Sequence, residues 1–160
     1  MIHRNYICGY ILKKMHKSDG LCKLCNKLER QRTHIFMKCE IIHKVFEHFS
    51  FIIKSFDSRD ISEKEKAFGI VDEINSKVLL RNYTTFIIRH IIYRNRNITL
   101  KRGENITVIL INKVMFYIRK DLHGQFCVAK NTNDTQSFKD KYLVEGIFGN
   151  LQNNELINAI

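Results

Sequence analysis

The chain has 160 residues, a formal net charge of +11 and a balance of 44% hydrophobic to 27% charged residues. That length suits one domain with a sizeable core, and the apolar content excludes wholesale disorder. The positive excess favours a polyanionic partner through phosphate neutralisation and counterion release, although bulk charge alone does not separate nucleic acid from an anionic membrane.

Charge is unevenly spread along the chain. Residues 1–44 carry ten Lys/Arg against three acids, residues 45–80 five against seven, residues 81–102 six against none, and residues 103–160 six against six. The positive potential therefore belongs to the N-terminal segment and to one later stretch. No run approaches the roughly 18 apolar residues of a membrane span. The short apolar stretch after Tyr6 meets Lys13 and Lys14 at once and lacks a cleavage site, which argues against a secretory signal.

Five cysteines are an odd count, and Cys22, Cys25 and Cys39 fall within 18 residues of one another, far from Cys8 and Cys127. This grouping reads as metal binding in a reducing compartment, cytoplasm or nucleus, better than as a disulfide framework. The pattern is Cys22-Lys-Leu-Cys25, eight residues, His34, four residues, Cys39. A C-x2-C turn lets two thiolates bite one ion, and a His and a Cys from a second element complete the tetrahedron that zinc prefers. His34 and Cys39 are five apart, about 140° round an ideal helix, so the chain must bend or unwind between them to chelate. The competing reading is a set of buried reduced cysteines beside a surface histidine, and His43 and His48 are alternative fourth ligands.

Beyond Cys39 the apolar residues Ile41, Ile42, Val45, Phe46, Phe49, Ile52, Ile53 and Phe56 step by three or four, predicting one face of a helix of about four turns. Ser62 with Glu65 is a capping-box signature that opens a short helix toward Gly69. Val78, Leu79, Phe86, Ile87, His90 and Ile91 form the stripe of a third helix, ending in the polar run from Arg94 to Asn97. Ile106, Ile109, Leu110, Val114, Tyr117 and Ile118 form a fourth, with Gly124 as its stop. The many β-branched residues make strand a competitor for the shorter runs, notably Thr107 to Ile111. Residues 130–141 read as loop, and the Asn-rich end after Gly149 reads as fraying.

Taken together, the expectation is a mainly α protein, with a small Cys-Cys-His-Cys zinc module followed by a bundle of three to four helices. Residues 1–56 would hold the zinc module and its following helix, 57–150 a helical region packed on it, and 151–160 a frayed tail.

These residues resemble the zinc-binding C-terminal region of reverse transcriptases encoded by non-LTR (LINE-type) retrotransposons. That family's pattern is C-x2-C, a short polar run, H-x4-C, and a helix with an aromatic residue seven positions after the last cysteine. Cys22, Cys25, His34 and Cys39 fall on the ligand positions, and Phe46 stands where the family usually has Trp. Leu12 and Met15 match the apolar lead-in helix. The segment from Asn82 to Arg96 is similar to the family's apolar helix ending in Ile-Tyr-x-x-Arg, and Phe138 with Lys141 and Tyr142 to its later Phe-x-x-Lys-Trp element. The chain departs in Arg30-Gln31 ahead of the histidine, in Glu40 where Pro is common, and in having no Trp. The resemblance implies a region downstream of a polymerase that helps hold template RNA or target DNA.

A polymerase centre needs paired aspartates for two-metal phosphoryl transfer, and the sequence has no Asp-Asp pair. Nor is there a glycine-rich phosphate loop, and no paired carboxylates stand out for acid–base work. Cys127 and His123, four apart, read as an exposed histidine beside a semi-buried thiol rather than as a nucleophile and base. Four protein ligands would close a zinc shell, leaving no position for a catalytic water. The expected role is therefore non-catalytic.

Candidate nucleic-acid contacts are Lys23, Lys27, Arg30 and Arg32 in the zinc loop, and Arg89, Arg94, Arg96 and Arg102 on or beyond the third helix, with Tyr83 and Tyr93 interleaved for base stacking. The alternative is a structural or protein-interaction domain in which zinc serves only folding and the charge only solvation.

Overall fold

The structure, a computed structural model, describes residues 13–15, 19–27, 34, 38–56, 59–69, 75–98, 103–153 and 155–158. The protein is mainly helical, with its cysteine–histidine cluster ahead of the helices. From Glu40 onward the described elements are α1 (Glu40–His48), α2 (Ser50–Phe56), α3 (Glu63–Phe68), α4 (Ser76–Asn95), α5 (Ile106–Asn131), α6 (Thr135–Tyr142), a 3-10 turn (Val144–Gly146), and strands β1 (Gly149–Gln152) and β2 (Glu155–Asn158). Among the described residues no helix is long and apolar enough to cross a membrane.

The stripe after Cys39 is buried as its spacing predicts, but the helix is divided at Phe49, whose ψ of 5° departs from helical geometry. Phe49 N–H still donates to Val45 O and Ile53 N–H to Phe49 O, so the i to i−4 ladder bridges the division. Ile42, Val45, Phe46, Phe49, Ile52, Ile53 and Phe56 therefore share one buried face. α1 packs on α5 and α2 on α4, so this one stripe touches both long helices.

The capping box that opens α3 is formed. Ser62 Oγ accepts from Glu65 N–H, and Glu65 Oε2 accepts from Ser62 N–H. Gly69 ends the helix at φ +83°, a conformation that requires glycine, and a Cβ there would stand 2.9 Å from Asn82 Oδ1 on α4 and push that side chain aside. The same Glu65 reaches Arg59 at 2.9 Å and the fully buried Arg81 at 3.8 Å, while Arg81 Nη2 also donates to Asp60 O. Sequence pattern gives no hint of a buried arginine here.

That junction turns α4 away from the predicted face. Its core residues are Leu80, Thr84, Ile87, Ile88, Ile91 and Ile92, together with Arg81 and Thr85, whereas Leu79 and Phe86 face solvent. Thr84 and Thr85 bury their hydroxyls by donating to the carbonyls of Leu80 and Asn82, which removes the desolvation penalty that assigns threonine to the surface. The predicted stripe was right only at Ile87 and Ile91.

Asn105 starts α5 by accepting from Thr107 N–H, and the buried positions Ile106, Leu110, Val114, Ile118, Leu122, Phe126 and Ala129 run its length. Strand is thus excluded for Thr107 to Ile111. The helix also passes through Gly124, the expected stop. A glycine inside a helix costs roughly 1 kcal/mol relative to alanine, less than the burial of Phe126 beyond it returns. The stop comes at Asn133 instead, which takes the left-handed conformation at φ 54°.

Residues 130–141, expected as loop, hold all of α6 but its last residue, Tyr142. Its two apolar residues, Phe138 and Tyr142, are four apart with their rings tilted against each other at 5.2 Å, and Phe138 lies 5.4 Å from Phe126. Two core contacts are too few to show periodicity in a polar segment. The end expected to fray pairs instead as an antiparallel hairpin, Gly149 opposite Asn158 and Gln152 opposite Glu155, with Asn153 at φ 50° in the turn. Phe148 anchors it, fully buried between Phe56 and Tyr83.

Phe46 is 2% exposed, with Lys66 Nζ 5.8 Å from its ring centre. Phe46→Ala should lower unfolding free energy by about 3–5 kcal/mol in urea titrations. Burial raises the Glu65 carboxyl, but the Ser62 amide and hydroxyl and the Arg59 and Arg81 guanidiniums outweigh it and bring it below its ordinary 4.5. A carboxylate depressed by folding adds stability above its unfolded pKa and loses it as pH falls through the lower folded value. Stability should therefore decline from about pH 4.5 downward, and Glu65→Gln should flatten that decline.

Candidate metal centre

Local backbone bonds build the Cys22 to Cys25 turn. Asp19 Oδ1 accepts from Leu21 N–H as the chain enters, Cys22 N–H donates to Lys27 O at 2.9 Å, and Asn26 N–H donates to Cys22 O at 2.8 Å. Asn26 reverses the chain at φ 56°, a conformation asparagine tolerates better than most residues. The result points both sulfurs to the same side.

The second pair is brought in by an unusual closure. His34 O accepts from both Lys38 N–H and Cys39 N–H, each at 2.9 Å, so a helical turn widens to an i+5 bond before the chain becomes extended at Cys39, φ −77° and ψ 118°. This is the bend that five-residue spacing demanded. Cys39 is also the residue that precedes α1, which fixes the last sulfur to the helix bearing Phe46.

The ligand atoms of Cys22, Cys25, His34 and Cys39 all lie within 4.8 Å of one another. Cys25 Sγ and His34 Nε2 are 3.4 Å apart, which makes Nε2 the donor atom. Around a tetrahedral zinc with bonds of about 2.0–2.3 Å, neighbouring donors stand roughly 3.5–3.8 Å apart, so the four atoms fit such an ion with small adjustments. His43 and His48 are exposed on α1 and stand outside the group.

Burial closes the shell on the protein side. Cys22, Cys39 and His34 are buried, and Leu24 from inside the turn joins them in the core shared with the helices. In this corner three thiols cannot all ionise unaided. The Cys39 thiol beside Cys22, together with the N–H groups of Cys25 and Leu24, lowers Cys22 to about 5 against its burial. Burial raises Cys25, and the bond to Cys22 followed by burial raises Cys39. Burial and mutual contact thus oppose ionisation of the Cys25 and Cys39 thiols, an opposition that a cation held among them would offset.

The predicted cationic residues are placed in three ways. Lys27 pairs with Glu40 at 2.6 Å and Lys23 with Asp19 at 3.6 Å, both exposed and of little energetic weight. Arg89 turns inward, donating through Nη1 to Ala67 O and through Nε to Thr85 O, and burial lowers its guanidinium below the usual value. This gives it a structural task, tying α3 to α4. Arg94 is exposed at the end of α4, and Arg96 lies 4.7 Å over the ring of Tyr93. Arg30, Arg32 and Arg102 lie outside the described residues. Tyr83, expected to stack bases, instead donates to Asp121 Oδ2 at 2.7 Å and packs on Tyr142 and Phe148. Cys127 Sγ and His123 Nε2 stand 3.7 Å apart on one exposed turn of α5.

A divalent cation entering at pH 7 should displace the protons of Cys25 and Cys39, so apparent affinity should rise with pH. Titration calorimetry in buffers of different ionisation enthalpy should register a net release of protons on binding. Cys39→Ala should abolish stoichiometric metal in purified protein, whereas Cys127→Ala should leave it unchanged.

Comparison of the chain with protein-family models, with curated proteins and with solved structures gives no match. The chemistry of the donors and the surface around them is what bears on function.

Proposed function

We propose that this chain is a non-catalytic zinc-binding module that engages nucleic acid through its phosphates, in the manner implied by its resemblance to the C-terminal region of non-LTR retrotransposon reverse transcriptases. The observation that carries the zinc assignment is the set of four donors within 4.8 Å, three sulfurs and one imidazole nitrogen. Thiolate-rich, four-coordinate tetrahedral sets select zinc over the hard cations, which take oxygen ligands. Cys22, Cys25, His34 and Cys39 would hold the ion. Its role is to neutralise the thiolates and tie the N-terminal turn to the start of α1. With four protein ligands no coordination position remains for a reacting water.

The nucleic-acid part rests on the net charge of +11 and on its concentration in residues 1–44 and 81–102. Phosphate contacts position a partner without specifying sequence, which suits a cation set with no base-reading pattern. A second reading, a structural or protein-interaction module, is favoured by the ion pairing of Lys23 and Lys27 and by the inward turn of Arg89.

Native mass spectrometry should show one zinc per chain that a chelator removes, with loss of helical signal. Anisotropy titrations of zinc-loaded protein against single-stranded RNA and DNA decide between the two readings. Contact with about six phosphates gives a log–log salt slope of about −4. Charge reversal at Arg94 and Arg96 should weaken all sequences alike. Absence of binding at low salt would leave the structural reading standing.

A further inference from the structure

Four rings run in unbroken contact across an exposed face of α4 and α5. Phe86 and His90 stack at 6.1 Å and 21°, His90 meets Tyr117 edge-on at 6.5 Å, and Tyr117 meets Phe116 at 5.8 Å. Phe86 is 48% exposed and Phe116 60%. Apolar residues scattered singly on a surface need no explanation, but a connected group does. The rings are not displaced core residues, because the core faces of both helices are already filled, on α4 by Leu80 and four isoleucines together with Arg81, Thr84 and Thr85, and on α5 by aliphatic side chains from Ile106 to Leu122.

Three side-chain contacts set the register of the two helices as antiparallel: Tyr83 with Asp121, His90 with Tyr117, and Asn95 with Lys113. This register places cations on both sides of the rings. Arg94 follows His90 by one turn, roughly 6 Å along α4, and Lys113 precedes Tyr117 by one turn on α5. On the other side Lys120, with Tyr117, Asp121, Gly124 and Gln125, lines an open groove of about 240 Å³. A Cβ at Gly124 would meet nothing within 4 Å, so the glycine leaves the groove unfilled. The neighbouring carboxylate, Asp121, accepts the Tyr83 hydroxyl.

We infer that this aromatic face is a stacking platform for the bases of a single-stranded nucleic acid, with Arg94, Lys113 and Lys120 taking the flanking phosphates. The inference rests on the nucleic-acid reading above and adds to it the binding surface and the strandedness. Flat rings bordered by cations match a polyanion that carries planar groups, and the chain's charge of +11 favours that occupant over a basic protein or a second copy of itself. A duplex keeps its bases stacked on each other, so only unpaired bases can use these rings.

The chain has no tryptophan, so Tyr117→Trp places a single fluorescent reporter in the platform. The zinc-loaded 160-residue chain carrying this substitution is titrated with an oligothymidylate of about 20 nucleotides, with an abasic strand of equal phosphate number, and with a duplex. The expected result is quenching by the oligothymidylate and little by the abasic strand or the duplex. Phe86→Ala should lower single-strand affinity about tenfold or more without changing the salt slope. Gly124→Leu, which fills the groove and improves helix propensity, should do the same in a protein that folds at least as well. Salt-dependent binding without quenching, and with affinity unchanged in both variants, overturns the platform while leaving phosphate binding intact. No binding at low salt overturns both. A Trp signal that changes with protein concentration in the absence of nucleic acid assigns the face to self-association and overturns the proposal.

Discussion

Three thiols and an imidazole gathered within 4.8 Å make a corner that could hold a metal ion. Folding draws Cys22 and Cys39 out of water and sets their sulfurs side by side, so ionising one opposes ionising the next. A divalent ion bound there would reverse the sign of that interaction and turn mutual repulsion into shared attraction. Because a preformed site rarely exists in an unfolded chain, the binding free energy of such an ion is also folding free energy. The consequence reaches beyond the loop, since Cys39 is the residue from which α1 starts and α1 packs on α5.

A second polar junction sets the rotation of α4. Arg81 is fully buried, yet its charge is compensated by Glu65 and its Nη2 donates to Asp60 O. Glu65 is itself fixed by the capping box of α3, so a cap worth about 1 kcal/mol to a short helix also aims the carboxylate at its partner. Removing Glu65 would leave the Arg81 charge buried without its carboxylate, which is far more destabilising than exchanging both for apolar residues, whereas Glu65 without Arg81 keeps its pair with Arg59. The inward turn of Arg89 takes one predicted contact off the basic face, Arg81 is buried beside it, and the same rotation exposes Phe86 and leaves His90 half-buried. One structural decision therefore leaves α4 displaying a ring as well as the charge of Arg94 near its end.

The distribution of aromatic residues follows from the same packing. Tyr83, Tyr142, Phe148, Phe56, Phe126 and Phe138 form a connected interior group that holds α6 and the hairpin to the long helices. Within it the Tyr83 hydroxyl keeps a partner in Asp121, and burial followed by that bond pushes its pKa well above the usual range. Edge-to-face and tilted contacts of this kind add to the burial of each ring. The C-terminal segment, polar and rich in asparagine, is ordered by Phe148 rather than by its own propensity.

Ligand type and spacing were enough to select Cys22, Cys25, His34 and Cys39 from the sequence, because chelation by short turns is a local property and four donors at compact separation leave few other geometries. The capping box at Ser62, the buried stripe from Ile42 to Phe56 and the mainly helical class were legible for the same reason, since each depends on residues within a turn or two of one another. Tertiary structure alone decided which face of α4 is buried, that Arg81 and Arg89 serve the interior, that α5 continues through Gly124, and that residues 135–158 form a helix and a hairpin. In each of these the deciding partner lies far along the chain: Glu65 for Arg81, Ala67 for Arg89, Phe126 for Phe138, Phe56 for Phe148. Periodicity records how apolar a face is, but the free energy of a buried charge or an isolated ring depends on the group that meets it, and only the folded chain supplies that group.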